Sequence, residues 1–167
     1  MKNLKLYLIL GTIFIIIAGT LSHFVYNWSG QNFILGFFFP VNESTWEHMK
    51  LIFFPMLIYS LFVGIKYKEN YPCLMPALLL GSLWGTFFIP VLFYTYTGIL
   101  SNNYAPLDIA VFVVSVIIAF TIAYRNALSC QADSYRQYIY ILTFIILLCF
   151  MRFTYSPPAI GIFSDLS

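Results

Sequence analysis

The sequence predicts an all-α integral membrane protein: one domain, 1–167, built as a compact bundle of five transmembrane helices, N-terminus inside and C-terminus outside, with a polar cavity at the outer face. Three observations carry this prediction. Hydrophobic residues make up 61% of the chain and charged residues only 8%, against about 45–50% and about 25% in a soluble domain. Eight Lys/Arg and six Asp/Glu cannot coat one compact domain with polar side chains, so the natural solvent is a bilayer. Five apolar stretches are each long enough to cross about 30 Å of hydrocarbon as a helix. The cations also sort by side: with the N-terminus in the cytoplasm, Lys2, Lys5, Lys66, Lys68, Arg125 and Arg136 lie inside, and only Lys50 and Arg152 fall outside, as the positive-inside rule requires.

The first span, Leu4–Tyr26, follows a basic start at Lys2 and Lys5. Its apolar run exceeds the roughly 7–15 residues of a signal peptide, so it is read as a retained helix. The second, Thr45–Tyr67, opens on Ser44 and Glu47 in a capping-box pattern and contains Pro55. The third, Cys73–Leu100, carries Gly81-x-x-x-Gly85, a spacing that permits close helix approach, and Pro90, which should weaken it. The fourth, Leu107–Tyr124, starts after Pro106, and the fifth is Tyr138–Tyr155. Connections 67–72, 101–106 and 126–137 are short and polar, so successive helices run antiparallel and pack as neighbours. The tail 156–167 lies outside and contains Ile160, Ile162 and Phe163. It either folds over the outer rim as a lid or lies in the headgroups. Cys73, Cys130 and Cys149 form no CxxC pair and none lies in an outer loop, so no disulfide is expected.

A net charge of +2, too scattered to form a basic face, excludes nucleic-acid binding. The polar residues instead collect at one leaflet. His23 lies near the outer end of the first span, and Asn42, Glu43, Ser44, Glu47, His48 and Lys50 open the second. Tyr94 to Thr97 close the third, Asp108 begins the fourth, and Arg152 lies near the end of the fifth. Ionisable groups at membrane depth usually face a bundle interior, a partner or a water-filled cavity. On a continuous helix Glu43, Glu47 and Lys50 share one stripe, with Ser44 and His48 on the next.

Each residue also has a plainer use. Ser44 and Asn42 suit an N-cap, acids suit a helix start, and Trp46 and Lys50 suit an interfacial anchor. Arg152 either clamps an anion or snorkels to the headgroups. Asp108 either serves the site or complements the helix dipole, and Tyr94 and Tyr96 either orient a ligand or belong to an aromatic belt. Two carboxylates on one stripe repel when both are ionised, so either a cation (a metal, Lys50 or Arg152) neutralises them or one of them holds a proton.

The block PVNESTWEHMK at Pro40–Lys50, YTYTG at Tyr94–Gly98, Asp108-Ile109 and FTYSPP at Phe153–Pro158 resemble domain-of-unknown-function family 6512, a group of small bacterial multipass proteins. The resemblance implies a multipass membrane protein over most of the chain and carries no activity.

The reading favoured by the residues is an outward-facing site on a multipass protein of the cell membrane. Glu43, Glu47, His48 and Arg152 would be its catalytic groups. Asn42, Lys50, Tyr94, Tyr96 and Asp108 would bind substrate, and Glu43, Glu47, His48 and His23 would be ligands for a divalent ion such as Zn²⁺ or Mn²⁺. Such a centre would activate water in a hydrolase or transferase acting on a lipid-linked or amphiphilic substrate among the membrane lipids. Two other readings use the same residues: a small transporter or capture subunit of a larger importer, and a structural membrane partner. Polar groups confined to one leaflet favour capture over conduction.

Overall fold

A computed structural model describes residues 2–165. Among these residues every regular element is helical. Five helices are long and apolar enough to cross a membrane: α1 (Lys2–Trp28), α3 (Thr45–Lys66), α4 (Leu74–Leu100), α5 (Ala105–Ser129) and α7 (Arg136–Phe153). Two single turns, α2 (Phe33–Gly36) and α6 (Gln131–Ser134), and a 3₁₀ turn at Gly161–Phe163 complete the fold.

The helices start and stop for local reasons. Ser44, in extended conformation, caps α3 by accepting the Glu47 N–H. Extended Tyr104 precedes α5, where Pro106 sits in the first turn because its missing N–H is not needed there. The α5 helix continues five residues past Tyr124, through Arg125 and Asn126, until Cys130 turns left-handed at φ 55°. Helices α3 and α4 run uninterrupted through Pro55 and Pro90.

Packing is centred on α3, whose Ile52, Phe53 and Met56 are fully buried. Helices α4 and α5 lie against each other closely enough that a Cβ on Gly85 would stand 2.7 Å from the Ala119 Cβ, the approach expected of the Gly81/Gly85 pair. Outward faces of the helices carry Phe62, Ile65 and Ile109 in the open, as lipid-facing surfaces do. The tail folds back, and Phe163 stacks 4.8 Å from Trp46 and 5.6 Å from Phe153. Trp46 is therefore buried rather than exposed as an interfacial anchor. Leu166 and Ser167, the end of the predicted tail, lie outside the described residues.

One expectation is overturned. Cys73 and Cys130 form a disulfide, with Cα atoms 5.3 Å apart. Each cysteine taken alone sits in no obvious oxidising loop, but Cys73 caps the start of α4 and Cys130 the end of α5. In an antiparallel pair these two termini are neighbours. Cys149, within α7, is free. Protein purified without reductant should therefore show a single reactive thiol after denaturation and all three cysteines of the sequence after reduction. Three thiols before reduction would refute the bond.

Candidate metal centre

The site forms where the end of α1 meets the start of α3. Gly19 makes the meeting possible: a Cβ there would stand 2.6 Å from the Leu51 carbonyl oxygen, so only glycine lets the helix backbones come this close. One helical turn later, at i+4 on the same face, His23 arrives beside His48. Their Nε2 atoms are 3.3 Å apart. Glu43 Oε2 lies 3.4 Å from each of them. The three side chains are partly exposed, at 30% for His23, 28% for His48 and 49% for Glu43, so the cluster is reachable from solvent.

The protonation pattern follows from the partners. His48 Nδ1 lies 2.9 Å from the Ser44 carbonyl oxygen, which only accepts. Nδ1 therefore carries a proton, and Nε2 is left facing the cluster: it donates to Glu43 when the ring is protonated and would offer its lone pair to a metal ion when the ring is neutral, the arrangement that orients a metal-binding histidine. Hydrogen bonding from His48, helped by the charge of His23, holds the Glu43 carboxyl below its usual range against the opposing effect of burial. Glu43 is thus an anion facing two imidazole nitrogens.

Beside the cluster is a cavity of about 170 Å³. Its polar lining is Glu43, Thr45, His48, Asn103 and Asp108, and the rest is apolar, from Leu51, Ile89, Phe93, Val111 and Phe112. Asp108, in the first turn of α5, accepts the hydroxyl hydrogen of Tyr96 on Oδ1. Thr45 is 3% exposed and its Oγ1 has no hydrogen-bond partner among the described residues. Nothing in the sequence singled out Thr45 or Asn103, because a threonine at a helix start and an asparagine in a loop are ordinary.

The remaining candidates go elsewhere. Helix α3 begins at Thr45, so Glu43 precedes it and does not share a helical stripe with Glu47. Glu47 and Lys50 form a separate buried pair at 2.6 Å, with Lys50 1% and Glu47 2% exposed. Lys50 Nζ also donates to the Gly36 carbonyl at 2.9 Å and to Thr154 Oγ1 at 2.7 Å, and the Val41 N–H donates to Glu47 Oε2 at 3.0 Å. The expected convergence of Glu47 and Lys50 with Glu43 therefore does not occur. Asn42 turns the chain by accepting the Ser44 N–H at 3.0 Å. Tyr94 is exposed, while Tyr96 holds Asp108. Arg152 is exposed near the end of α7, and no ion pair among the described residues joins it to Glu43, Glu47 or Asp108.

The model of a family of unknown function (DUF6512) matches residues 1–167, and the chain belongs to that family. No curated protein and no solved structure matches the chain.

The two acids should respond differently to substitution. Breaking a buried ion pair by removing one partner costs about 3–5 kcal/mol, so Lys50→Met and Glu47→Gln should each lower the melting temperature sharply, with or without added metal. Glu43→Gln, at a half-exposed position, should leave the metal-free melting temperature almost unchanged. A Lys50→Met protein as stable as the parent would remove the buried pair from its structural role.

Proposed function

We propose that this member of the DUF6512 family is a multipass protein of the cell membrane that holds one divalent metal ion on His23, Glu43 and His48 and uses it in hydrolysis of an amphiphilic substrate. The observation that carries the reading is the spacing of the three donor atoms. Donors each about 2.0–2.1 Å from one zinc ion at tetrahedral angles stand about 3.3–3.4 Å from one another. His23 Nε2, His48 Nε2 and Glu43 Oε2 are spaced at 3.3, 3.4 and 3.4 Å.

Two imidazoles and one carboxylate suit Zn²⁺ better than Mn²⁺, which favours a more oxygen-rich set. Three protein ligands leave a fourth position open for water, as in catalytic rather than structural zinc sites. A divalent ion held by these residues would make a water molecule there more acidic, and the Asp108 carboxylate on the cavity wall would be the base to take its proton. Glu47 and Lys50 serve the scaffold in this reading, and Arg152 has no part in the chemistry.

The cation distribution favours an orientation with the metal centre outside the cytoplasm and Lys66, Lys68, Arg125 and Arg136 within it. The Cys73–Cys130 end then meets the cytoplasmic thiol pool, which keeps most cysteine pairs reduced. Alkylation of intact cells should accordingly trap both cysteines as thiols, with the bond closing only after extraction. A pair trapped oxidised in the cell would reverse the orientation and put the metal centre inside.

Metal binding has a direct test. Equilibrium dialysis of purified protein against zinc, followed by elemental analysis, should give about one ion per chain, with His23→Ala and His48→Ala each weakening binding by at least about 100-fold. Affinity should fall with acid, because protons compete for the imidazole nitrogens. Retention of zinc by both histidine variants, or no zinc on the parent protein, would overturn the proposal.

A further inference from the structure

Resting on the metal centre proposed above, we infer that the bond presented to it is an uncharged acyl linkage, the amide or ester carbonyl of a lipid-like amphiphile, with Thr45 as the donor that recognises the carbonyl oxygen. The cavity's charge is the first argument. Its wall holds two carboxylates, Glu43 and Asp108, and no Lys or Arg. Lys50 is committed to Glu47, Gly36 and Thr154, and Arg152 is exposed near the end of α7. One dication balances the two acids and leaves no surplus positive charge. Sites for transferring phosphoryl groups add arginine, lysine or further metal ions to hold their anionic oxygens. A phosphodiester here would face two carboxylates with one ion to offset them, whereas a neutral carbonyl meets no such repulsion.

Size and wall chemistry narrow the class further. A volume of about 170 Å³ is well below the roughly 300–1,000 Å³ of a pocket for a drug-sized ligand. It suits a linkage and the start of a chain rather than a whole sugar or nucleotide. Leu51, Ile89, Phe93, Val111 and Phe112 supply the apolar surface that a chain requires. Thr45 then accounts for an otherwise costly feature. A buried hydroxyl without a partner is destabilising, and of the five buried side-chain polar atoms without a partner among the described residues, Thr45 Oγ1 is the one that belongs to a residue lining this cavity. Rotation of the Thr45 side chain about χ1 would bring the hydroxyl to the cavity, where a substrate carbonyl oxygen would supply the missing acceptor.

The step balances with water as the only co-reactant. One water proton passes to Asp108 as the water oxygen bonds to the carbonyl carbon. The carbonyl electron pair moves onto its oxygen, which the metal ion and the Thr45 hydroxyl stabilise. The C–N or C–O bond then breaks with its electron pair staying on nitrogen or oxygen, and Asp108 returns the proton to that leaving group. The products are a carboxylic acid and an amine or alcohol, with no change of oxidation state. Tyr96, bonded to Asp108 Oδ1, is a positioning residue for the base.

The test uses zinc-loaded protein in mixed micelles with three probes: an N-dodecanoyl amino alcohol, a dodecanoyl ester and a dodecyl phosphodiester. Dodecanoate should be released from at least one acyl probe, and the phosphodiester should stay intact. Thr45→Val should lower that release by about 100-fold, the usual effect of losing one oxyanion donor, while Thr45→Ser restores most of it. Zinc content should not change in either variant, and the melting temperature of Thr45→Val should hold or rise because an unpaired buried hydroxyl has been removed. Cleavage of the phosphodiester, no cleavage of either acyl probe by zinc-loaded protein, or full activity in Thr45→Val overturns the inference while leaving the metal centre standing. Failure of the parent protein to take up zinc overturns the metal reading and this inference with it.

Discussion

The fold at the site end depends on one buried ammonium group. Lys50 has three N–H donors and three acceptors, the Glu47 carboxylate, the Gly36 carbonyl and the Thr154 hydroxyl. Taking such an ion pair out of water costs several kcal/mol per ion unless its hydrogen-bonding capacity is filled. Here the ammonium is filled and the carboxylate gains the Val41 N–H as well. The pair therefore joins three parts of the chain at one point: the segment after α2, the start of α3 and the end of α7. A Cβ on Gly36 would meet the Tyr155 hydroxyl, which donates to the Phe33 carbonyl at 2.7 Å, so a larger residue there would have to displace that ring.

That constraint delivers Glu43. The stretch between Gly36 and Ser44 has no regular structure after its first residues, so little in its own backbone would hold a carboxylate in place. It is secured at Gly36 through Lys50, at Val41 through Glu47 and at Ser44 through the Asn42 side chain. Glu43 is the residue left projecting between the last two of these contacts. The two acids of the block thus have opposite fates for a geometric reason. Glu47 lies inside the helix on the face toward α7, whereas Glu43 precedes the N-cap and is directed to the other side.

Five spans were legible because length and hydropathy suffice to define a helix that crosses a bilayer, and the close approach of α4 and α5 was written in Gly81 and Gly85. Boundaries drifted where polarity misled. Arg125 and Asn126 read as a loop but continue α5, since a polar residue does not end a helix until a left-handed one, Cys130, does so. The α2 turn went unseen because four apolar residues have no period to detect. At the site, His23, Glu43, His48 and Asp108 stood out as ionisable groups gathered at one end of the bundle. The span starting at Thr45 was legible, but the stripe joining Glu43 to Glu47 and Lys50 needs a helix that continues back through Glu43; which acid joins the histidines depends on the non-helical path before the Ser44 cap, which has no sequence period. The disulfide was not expected because the cysteines form no CxxC pair and the assigned orientation puts none in an outer loop, although the antiparallel pairing of α4 and α5 brings these two, 57 residues apart, together.

The cap of α3 links the scaffold to the chemistry. Ser44 uses its hydroxyl oxygen to accept the Glu47 N–H, and its carbonyl accepts both the His48 backbone N–H at 3.1 Å and the His48 ring Nδ1–H. The residue that starts the helix therefore also selects the His48 tautomer. With Nδ1 committed to Ser44, His48 Nε2 is held 3.3 Å from the His23 Nε2 and 3.4 Å from a carboxylate oxygen of Glu43, where it donates to Glu43 when the ring is protonated and offers a lone pair when the ring is neutral. Three electron-rich atoms at that separation repel one another unless something positive stands among them. Protons on the two histidines relieve only the contacts with Glu43, since both Nε2–H groups can donate to the carboxylate but then face each other. In the reading proposed above, a divalent ion would relieve all three contacts together, and the triangle's spacing fits such a coordination shell.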